Sequence, residues 1–356
     1  MTISREIGSE FHTCKTTKDD RYFIFEDWDF FLTGRTALDN IVKNIKTNKN
    51  VKTALLPAYC CHSMVEPFIR NGINVTYYDV DLLDSDIFCN QEINGKFDII
   101  LLMNYFGINV KSFAKQVDEV VNNNKDSYVI VDITHALFSP NMRFDKADYY
   151  FCSLRKWTGL FSGGMALKNN GHLETPKKSV LDDFVSERKI AMREKALYLR
   201  SLRGDKKVFL ERFERAEDLI DCCYEDYPMD LDSKKMFSCL DVEYLKRKRR
   251  ENYSYLIDQA DIFMEKGLKP LCYNIYDDVP LTFPVMATSN EFRNSIRSHL
   301  ISNNIFCPVH WPLPENVTET FKAHTFSKRE LSIVCDQRYN IEDMKRIISV
   351  IKEFNE

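Results

Sequence analysis

Tyr128-Val129-Ile130-Val131-Asp132-Ile133 is a mostly apolar run with a carboxylate near its end, and Tyr149-Tyr150-Phe151-Cys152-Ser153-Leu154 is a second, followed directly by Arg155-Lys156. Neither alternates polar with apolar residues, so each reads as a strand covered on both faces. Outward from them, Thr53–Leu56, Val75–Asp79 and Asp98–Met103 have the same strand-like character, while Ser63–Arg70 and Val110–Asn122 read as helices. The order β-α-β-α-β predicts an α/β fold with a mostly parallel central sheet. Ligands of such sheets sit beyond the carboxyl ends of the strands, which is where Asp132 and Lys156 fall.

Past Gly164 the texture changes. Asp182–Arg203 and Val208–Cys223 are long, charged helical stretches, and Lys235–Gln259 continues as helix toward a second unit. Leu281–Met286 and Asn304–Val309 read as strands, with Glu291–Ser302 and Ile341–Phe354 as helices beside them. The expectation is a large domain over residues 1–240, including an N-terminal arm, and a smaller C-terminal α+β domain over 241–356.

Composition narrows the function. The 356 residues are 44% hydrophobic and 29% charged with a net charge of −4, which gives no basis for a nucleic-acid partner. The basic run Lys246–Arg250 is flanked by Glu243 and Glu251 and reads as a solvated helix face. No apolar segment is long enough for a membrane span, and the N-terminus is polar. The 11 cysteines are scattered without CxxC spacing, so reduced thiols in the cytoplasm are expected and no metal site.

Three features carry chemistry. Thr33-Gly34-Arg35-Thr36-Ala37-Leu38 opens an amphipathic stretch, and a helix start of this kind offers backbone N–H groups and a hydroxyl to a phosphate, or simply caps itself. Asp132 emerges from an apolar strand and needs a partner, because an unpaired buried charge costs several kcal/mol. His135 follows three residues later. Lys156 ends the next strand, beside Ser153 and Arg155, with Gly163-Gly164 seven and eight residues on. An amine becomes a nucleophile toward an aldehyde when its surroundings favour the neutral form, and Arg155 suits a phosphate.

In this order the features resemble the cofactor site of pyridoxal-phosphate (PLP) dependent transferases of fold type I. Within these, the chain is most similar to the DegT-type sugar aminotransferases. The matching stretches are Gly34–Leu38, Leu56-Pro57-Ala58-Tyr59, Val131–Ala136 and Ser153–Gly164, with weaker likeness at Asn104-Tyr105-Phe106-Gly107, Arg250–Tyr253, Pro308–Pro312 and Asp336–Tyr339. The resemblance implies an aminotransferase that moves an amino group from an amino acid to a keto acceptor, a keto sugar in that family. It gives Lys156 the Schiff base with the cofactor and the proton shuttle, Asp132 the pyridine nitrogen, and His135 the phenolate oxygen. Gly34, Arg35, Thr36 and Ser153 would hold the phosphate, and Asn104 would also border the cofactor. Tyr59 would stack on the ring, although strict register puts Cys61 or His62 there. Arg249, Asn252, His310 and Arg338 are substrate-side candidates. A homodimer is implied, with partner residues from Val180–Tyr227 reaching the site.

Departures mark an outlying subgroup. Phe151 stands where the family commonly has its phosphate-binding serine, Arg35 where a small residue is usual, and Val131 where Glu is usual. A lyase or decarboxylase on the same cofactor stays open, because fold does not select the reaction. A non-catalytic scaffold would have no use for Asp132, His135 and Lys156 together. A nucleotide-binding α/β protein needs a glycine-rich loop after the first strand, and Pro57-Ala58-Tyr59-Cys60 is not one.

Overall fold

A computed structural model describes residues 5–17, 27–81, 93, 96–140, 146–201 and 204–355. Its main sheet has seven strands, in the order Asp29–Phe31, Gly164–Lys168, Tyr149–Ser153, Tyr128–Asp132, Ile99–Met103, Thr53–Pro57, Asn74–Tyr78. The last five are mutually parallel. Gly164–Lys168 runs antiparallel to Tyr149–Ser153, and Asp29–Phe31 antiparallel to Gly164–Lys168. Ile99–Met103 lies in the middle of the five parallel strands and is buried at every residue, as an unbroken Ile-Ile-Leu-Leu-Met run requires. Helices His62–Arg70 and Val110–Asn123 supply the crossovers, the second burying Val110, Phe113 and Val117 from one face. The expected α/β class and mostly parallel sheet are what the structure has, with strand limits within a residue or so of those read from sequence.

Two strands of this sheet were not anticipated. Asp29–Phe31 is only three residues long, and Gly164–Lys168 begins at a glycine that reads as loop. That second strand must start with glycine. A Cβ on Gly164 would sit 2.0 Å from the Thr33 carbonyl oxygen and 2.6 Å from the Gly34 nitrogen. The backbone of Gly163–Gly164 therefore lies directly on the start of the helix Gly34–Asn48, and the Gly163 N–H donates to the Leu32 carbonyl at 2.7 Å.

Beyond residue 240 a second sheet forms, with Phe283–Ala287 between Leu268–Pro270 and Glu330–Ile333, all antiparallel. Helices Val242–Ile257, Asn290–Ser302 and Ile341–Glu353 accompany it. The strand Ile7–Gly8 pairs in parallel with Ile305–Phe306, so this N-terminal segment is tied to the last third of the chain.

Several expectations need correction. The single helix Lys235–Gln259 is two, Leu231–Ser238 and Val242–Ile257, because the Asp241 side chain accepts from the Tyr244 N–H and caps a new start. The basic run is only partly a solvated face. Lys246, Arg247 and Lys248 do pair with Glu243 and Glu251, but Arg249 points inward and is fully buried. Asn304–Val309 is strand only at Ile305–Phe306, and Glu330–Ile333 is a strand that its mixed sequence, Glu-Leu-Ser-Ile, did not announce. The helix read as Asp182–Arg203 is seen over Asp182–Ser201, and its last two residues lie outside the described ones. It pairs with Lys206–Cys222 as an antiparallel hairpin. No helix among the described residues is long and apolar enough to cross a membrane.

Replacing Gly164 by alanine should force the Thr33–Gly34 backbone away. We expect Gly164→Ala to lose about 2–4 kcal/mol in chemical denaturation. A Gly164→Ala protein as stable as wild type would show that the helix start is not held by this contact.

Candidate active site

The site is assembled at the carboxyl ends of the parallel strands. Thr33 caps the helix Gly34–Asn48 by accepting from the Thr36 N–H, which leaves the first turn's other N–H groups at the edge of a cavity of about 270 Å³. The cavity is lined by Thr33, Gly34, Arg35, Cys61, Met103, Asp132, Thr134, His135, Ser153, Arg155, Lys156, Glu217 and Trp311, among others. Gly34 lets Ser153 approach, since a Cβ there would stand 3.0 Å from the serine's own Cβ.

Asp132 is the last residue of its strand and is 3% exposed. Its Oδ1 accepts from the Thr134 N–H at 2.7 Å. Burial pushes its carboxyl up to about 6, against the opposing pull of the Thr134 hydrogen bonds and the Lys156 charge. The turn that follows is cross-braced, because Thr134 Oγ1 accepts from the Ser153 N–H and the Thr134 carbonyl accepts from Trp157 Nε1 at 2.6 Å.

His135 is buried, and its Nδ1 accepts from the Phe106 N–H at 3.0 Å. That bond leaves the ring proton on Nε2 in the neutral form. Burial holds its basicity well below the ordinary imidazole range, helped by His310 and Lys156 nearby. Trp311 stacks on it with ring centroids 5.7 Å apart and planes 26° apart. Lys156 ends the short 3-10 turn Leu154–Lys156, and its exposed side chain borders both this cavity and a second of about 410 Å³. An amine that serves two adjoining cavities can take part in chemistry where they meet.

Arg35, Cys61 and Ser153 border the first cavity, but Arg35 is already committed, at 3.0 Å from Glu66 and 2.8 Å from Asp221. Thr36, Tyr59 and Asn104 are not brought to the cavity. The Thr36 hydroxyl donates to the Tyr224 carbonyl. Tyr59 is buried against Tyr105 and Trp311 with its hydroxyl toward Glu330. Asn104 Nδ2 donates to the Ile108 carbonyl. Cys61, not Tyr59, therefore holds the wall after Pro57, and the aromatic wall comes from Trp311, which is far away in sequence.

The second cavity is lined by Gly8, Ser9, Lys156, Arg249, His310 and Arg338, among others. Arg338 is paired with Asp336 at 2.8 Å and held by the carbonyls of Ser9 and Glu10. Arg249 Nε donates to Gln337 at 2.8 Å, and its guanidinium lies 4.4 Å over the Trp157 ring. Asn252 does not border the cavity, because its Nδ2 is used on the carbonyls of Cys335, Asp336 and Tyr339. Sequence reasoning missed Glu217 altogether. Nothing about a glutamate in the middle of a charged helix signals that it faces the lysine.

The geometry also fits PLP on its own terms. Buried Arg155 Nε has no hydrogen-bond partner among the described residues, and the glycine-floored helix start presents N–H donors beside it. These suit a phosphate, while Asp132 and His135 suit the two ends of a pyridine ring bearing a hydroxyl.

No protein-family profile matches the sequence, and no curated protein matches it. Solved structures do. Helicobacter pylori PseC, an aminotransferase involved in the biosynthesis of pseudoaminic acid, superposes with a TM-score of 0.64 at 16% identity, over 98% of this chain and 97% of that one. A Streptococcus pneumoniae protein described as a sugar aminotransferase gives 0.63 at 15% identity, over 99% and 97%. CalS13 of Micromonospora echinospora, a sugar aminotransferase, gives 0.60 at 12% identity, over 99% of both chains. The Streptococcus protein has also been solved in PLP and PMP forms. Likeness at these identities, over nearly the whole of each chain, establishes the fold as that of the PLP-dependent transferases of fold type I.

Proposed function

We propose that this chain is a PLP-dependent aminotransferase that carries an amino group from an amino acid donor to a small keto acceptor, with a keto sugar as the acceptor class. The observation that carries this reading is the meeting of Lys156, Asp132 and His135 on the ends of neighbouring strands, facing one cavity with a phosphate-suited floor. Bound PLP supplies an aldehyde that an amine can hold, and a ring that accepts electron density from bonds at the amine-bearing carbon.

The residues divide the work. Gly34 and Arg35 backbone N–H groups, Ser153 and Arg155 would bind the phosphate. Asp132, as a carboxylate, would keep a proton on the ring nitrogen; that cation supplies the partner its burial calls for. His135 would donate its Nε2 proton to the ring's phenolate oxygen. Lys156 Nζ would hold the aldehyde carbon at rest and, once released, move a proton to and from the substrate carbon. Arg249 and His310, in the adjoining cavity, would orient the acceptor. The reading includes a cytoplasmic homodimer; the cytoplasm is supported by the ten cysteines among the described residues, all with free thiols. The dimer is supported by Leu197 and Leu210, 53% and 42% exposed on the helical hairpin of residues 182–222.

Purified protein given PLP should show a visible band from covalent attachment, and Lys156→Ala should lack it. The wild-type band should bleach on adding an amino donor such as glutamate. A wild-type protein that is folded yet takes up no PLP would overturn the reading. Asp132 sets a further expectation for the cofactor-free protein. Its carboxyl is raised from 3.8 to about 6, so the folded chain binds that proton more tightly than the unfolded chain. The resulting stability is complete below about pH 4 and lost as pH rises through about 6, on the order of 3 kcal/mol. Asp132→Asn should flatten this difference in denaturation curves taken across that window, and added PLP should restore wild type at neutral pH but not the variant.

A further inference from the structure

Arg155, Arg188, Glu217 and Glu10 form a charge cluster at the phosphate end of the first cavity. Arg155 Nη1 lies 2.7 Å from Glu217 Oε1, and Arg188 Nη1 lies 3.2 Å from the same oxygen. Arg188 Nη2 lies 3.5 Å from Glu10 Oε2. The side chains of Arg155 and Arg188 are 15% and 2% exposed, whereas that of Glu217 is 47% exposed. Arg155, Glu217 and Ile220 line the cavity together with Gly34, Ser153 and Lys156. The Nε atoms of both arginines are buried with no hydrogen-bond partner among the described residues. Each guanidinium thus keeps a donor in reserve. The two arginines hold the Glu217 carboxyl down to about 2, with burial opposing them, so it stays charged at any working pH.

Within the cluster two guanidinium groups face two carboxylates, with Lys156 beside them. A phosphate ester brings roughly −1.5 to −2 more at neutral pH. When the phosphate carrier is PLP, Lys156 would be held at the aldehyde carbon and so would not be a hydrogen-bond partner of the phosphate. A phosphate and the Glu217 carboxylate therefore compete for the same Arg155 fork, and both cannot be accommodated at full strength.

We propose that Glu217 is a built-in competitor for the phosphate site: it holds Arg155 in the unloaded protein and yields it when a phosphate enters. The exchange needs no backbone change. Glu217 stands in the middle of the helix Lys206–Cys222 and is flanked by exposed Glu214 and Asp218, so a rotamer change carries its carboxylate to solvent. Arg155 then meets the phosphate with the Nη1 and Nη2 end of its guanidinium, the geometry in which a guanidinium binds an oxyanion through two parallel hydrogen bonds, while its buried Nε remains a further donor. Arg188 stays paired with Glu10 and keeps the cluster from collapsing. The consequence is a site that discriminates for the doubly charged phosphate and holds it more weakly than an unopposed arginine would. This deepens the PLP reading and rests on it for the identity of the phosphate carrier.

The test is a binding titration of cofactor-free protein, followed by absorbance for PLP and for pyridoxal, and by calorimetry for inorganic phosphate. Glu217→Gln keeps the size and half-exposed position of the side chain, so folding is not at stake. It should bind PLP and inorganic phosphate roughly tenfold more tightly than wild type, the worth of about one charge-assisted hydrogen bond no longer shared. Pyridoxal, which has the aldehyde but no phosphate, should bind both proteins equally. In an Arg155→Met background the Glu217→Gln gain should vanish. Equal or weaker binding of PLP and phosphate by Glu217→Gln, or a gain that survives without Arg155, would overturn the proposal. A wild type that binds inorganic phosphate but neither aldehyde would instead overturn the PLP reading and leave Glu217's role to the phosphate arm.

Discussion

The site depends on one close backbone approach. The helix Gly34–Asn48 must begin where the strand Gly164–Lys168 begins, and both must reach the end of Tyr149–Ser153. Three chain segments meet there with no room for side chains, which is why glycines occupy positions 34 and 164. The Gly163 N–H bond to the Leu32 carbonyl and the Thr33 cap lock the approach. Because of it, the N–H groups of a helix start, a serine and a lysine face one volume.

Electrostatics inside this frame follow from burial more than from pairing. Asp132 and His135 are both nearly free of solvent, and in both cases burial is the leading influence, favouring the neutral form. That arrangement is costly in an empty protein and becomes favourable when a cation and an oxyanion arrive between them. The arginine–glutamate cluster beside Lys156 is organised in the opposite way, with every charge already compensated. One end of the cavity thus calls for charge, and the other has to exchange it.

The two sheets are joined through the residue that follows the lysine. Trp157 donates to the Thr134 carbonyl, its own carbonyl accepts from Gln337 Nε2 at 2.6 Å, and its ring supports the Arg249 guanidinium. Arg249 in turn donates to the carbonyls of Pro280 and Leu281. A buried cation with no carboxylate among these contacts is tolerated because carbonyls, an amide and an aromatic face share the work of water. Movement of the C-terminal elements would be felt one residue from Lys156.

Much of this was legible in the sequence. The apolar runs at 99–103, 128–132 and 149–153 determine parallel, doubly covered strands, because a strand without polar alternation has no face to give to water. Their ends then place Asp132, His135 and Lys156 without any further information. Local chemistry also determined the start of the helix Gly34–Asn48, where Thr33 caps through its own side chain. What only the tertiary structure decided are the choices between equal-looking residues. Tyr59 and Cys61 are two positions apart, and packing against Tyr105 and Trp311 turned the tyrosine inward and left the thiol on the wall. Arg249 sits in a run of five basic residues, and only the opposing Trp157 and Gln337 select it for burial. Glu217 and Trp311 reach the site from elements 61 and 155 residues beyond Lys156. Periodicity says which face of an element is apolar, but it does not say what lies across from a polar one, and that is where a charge meets its competitor.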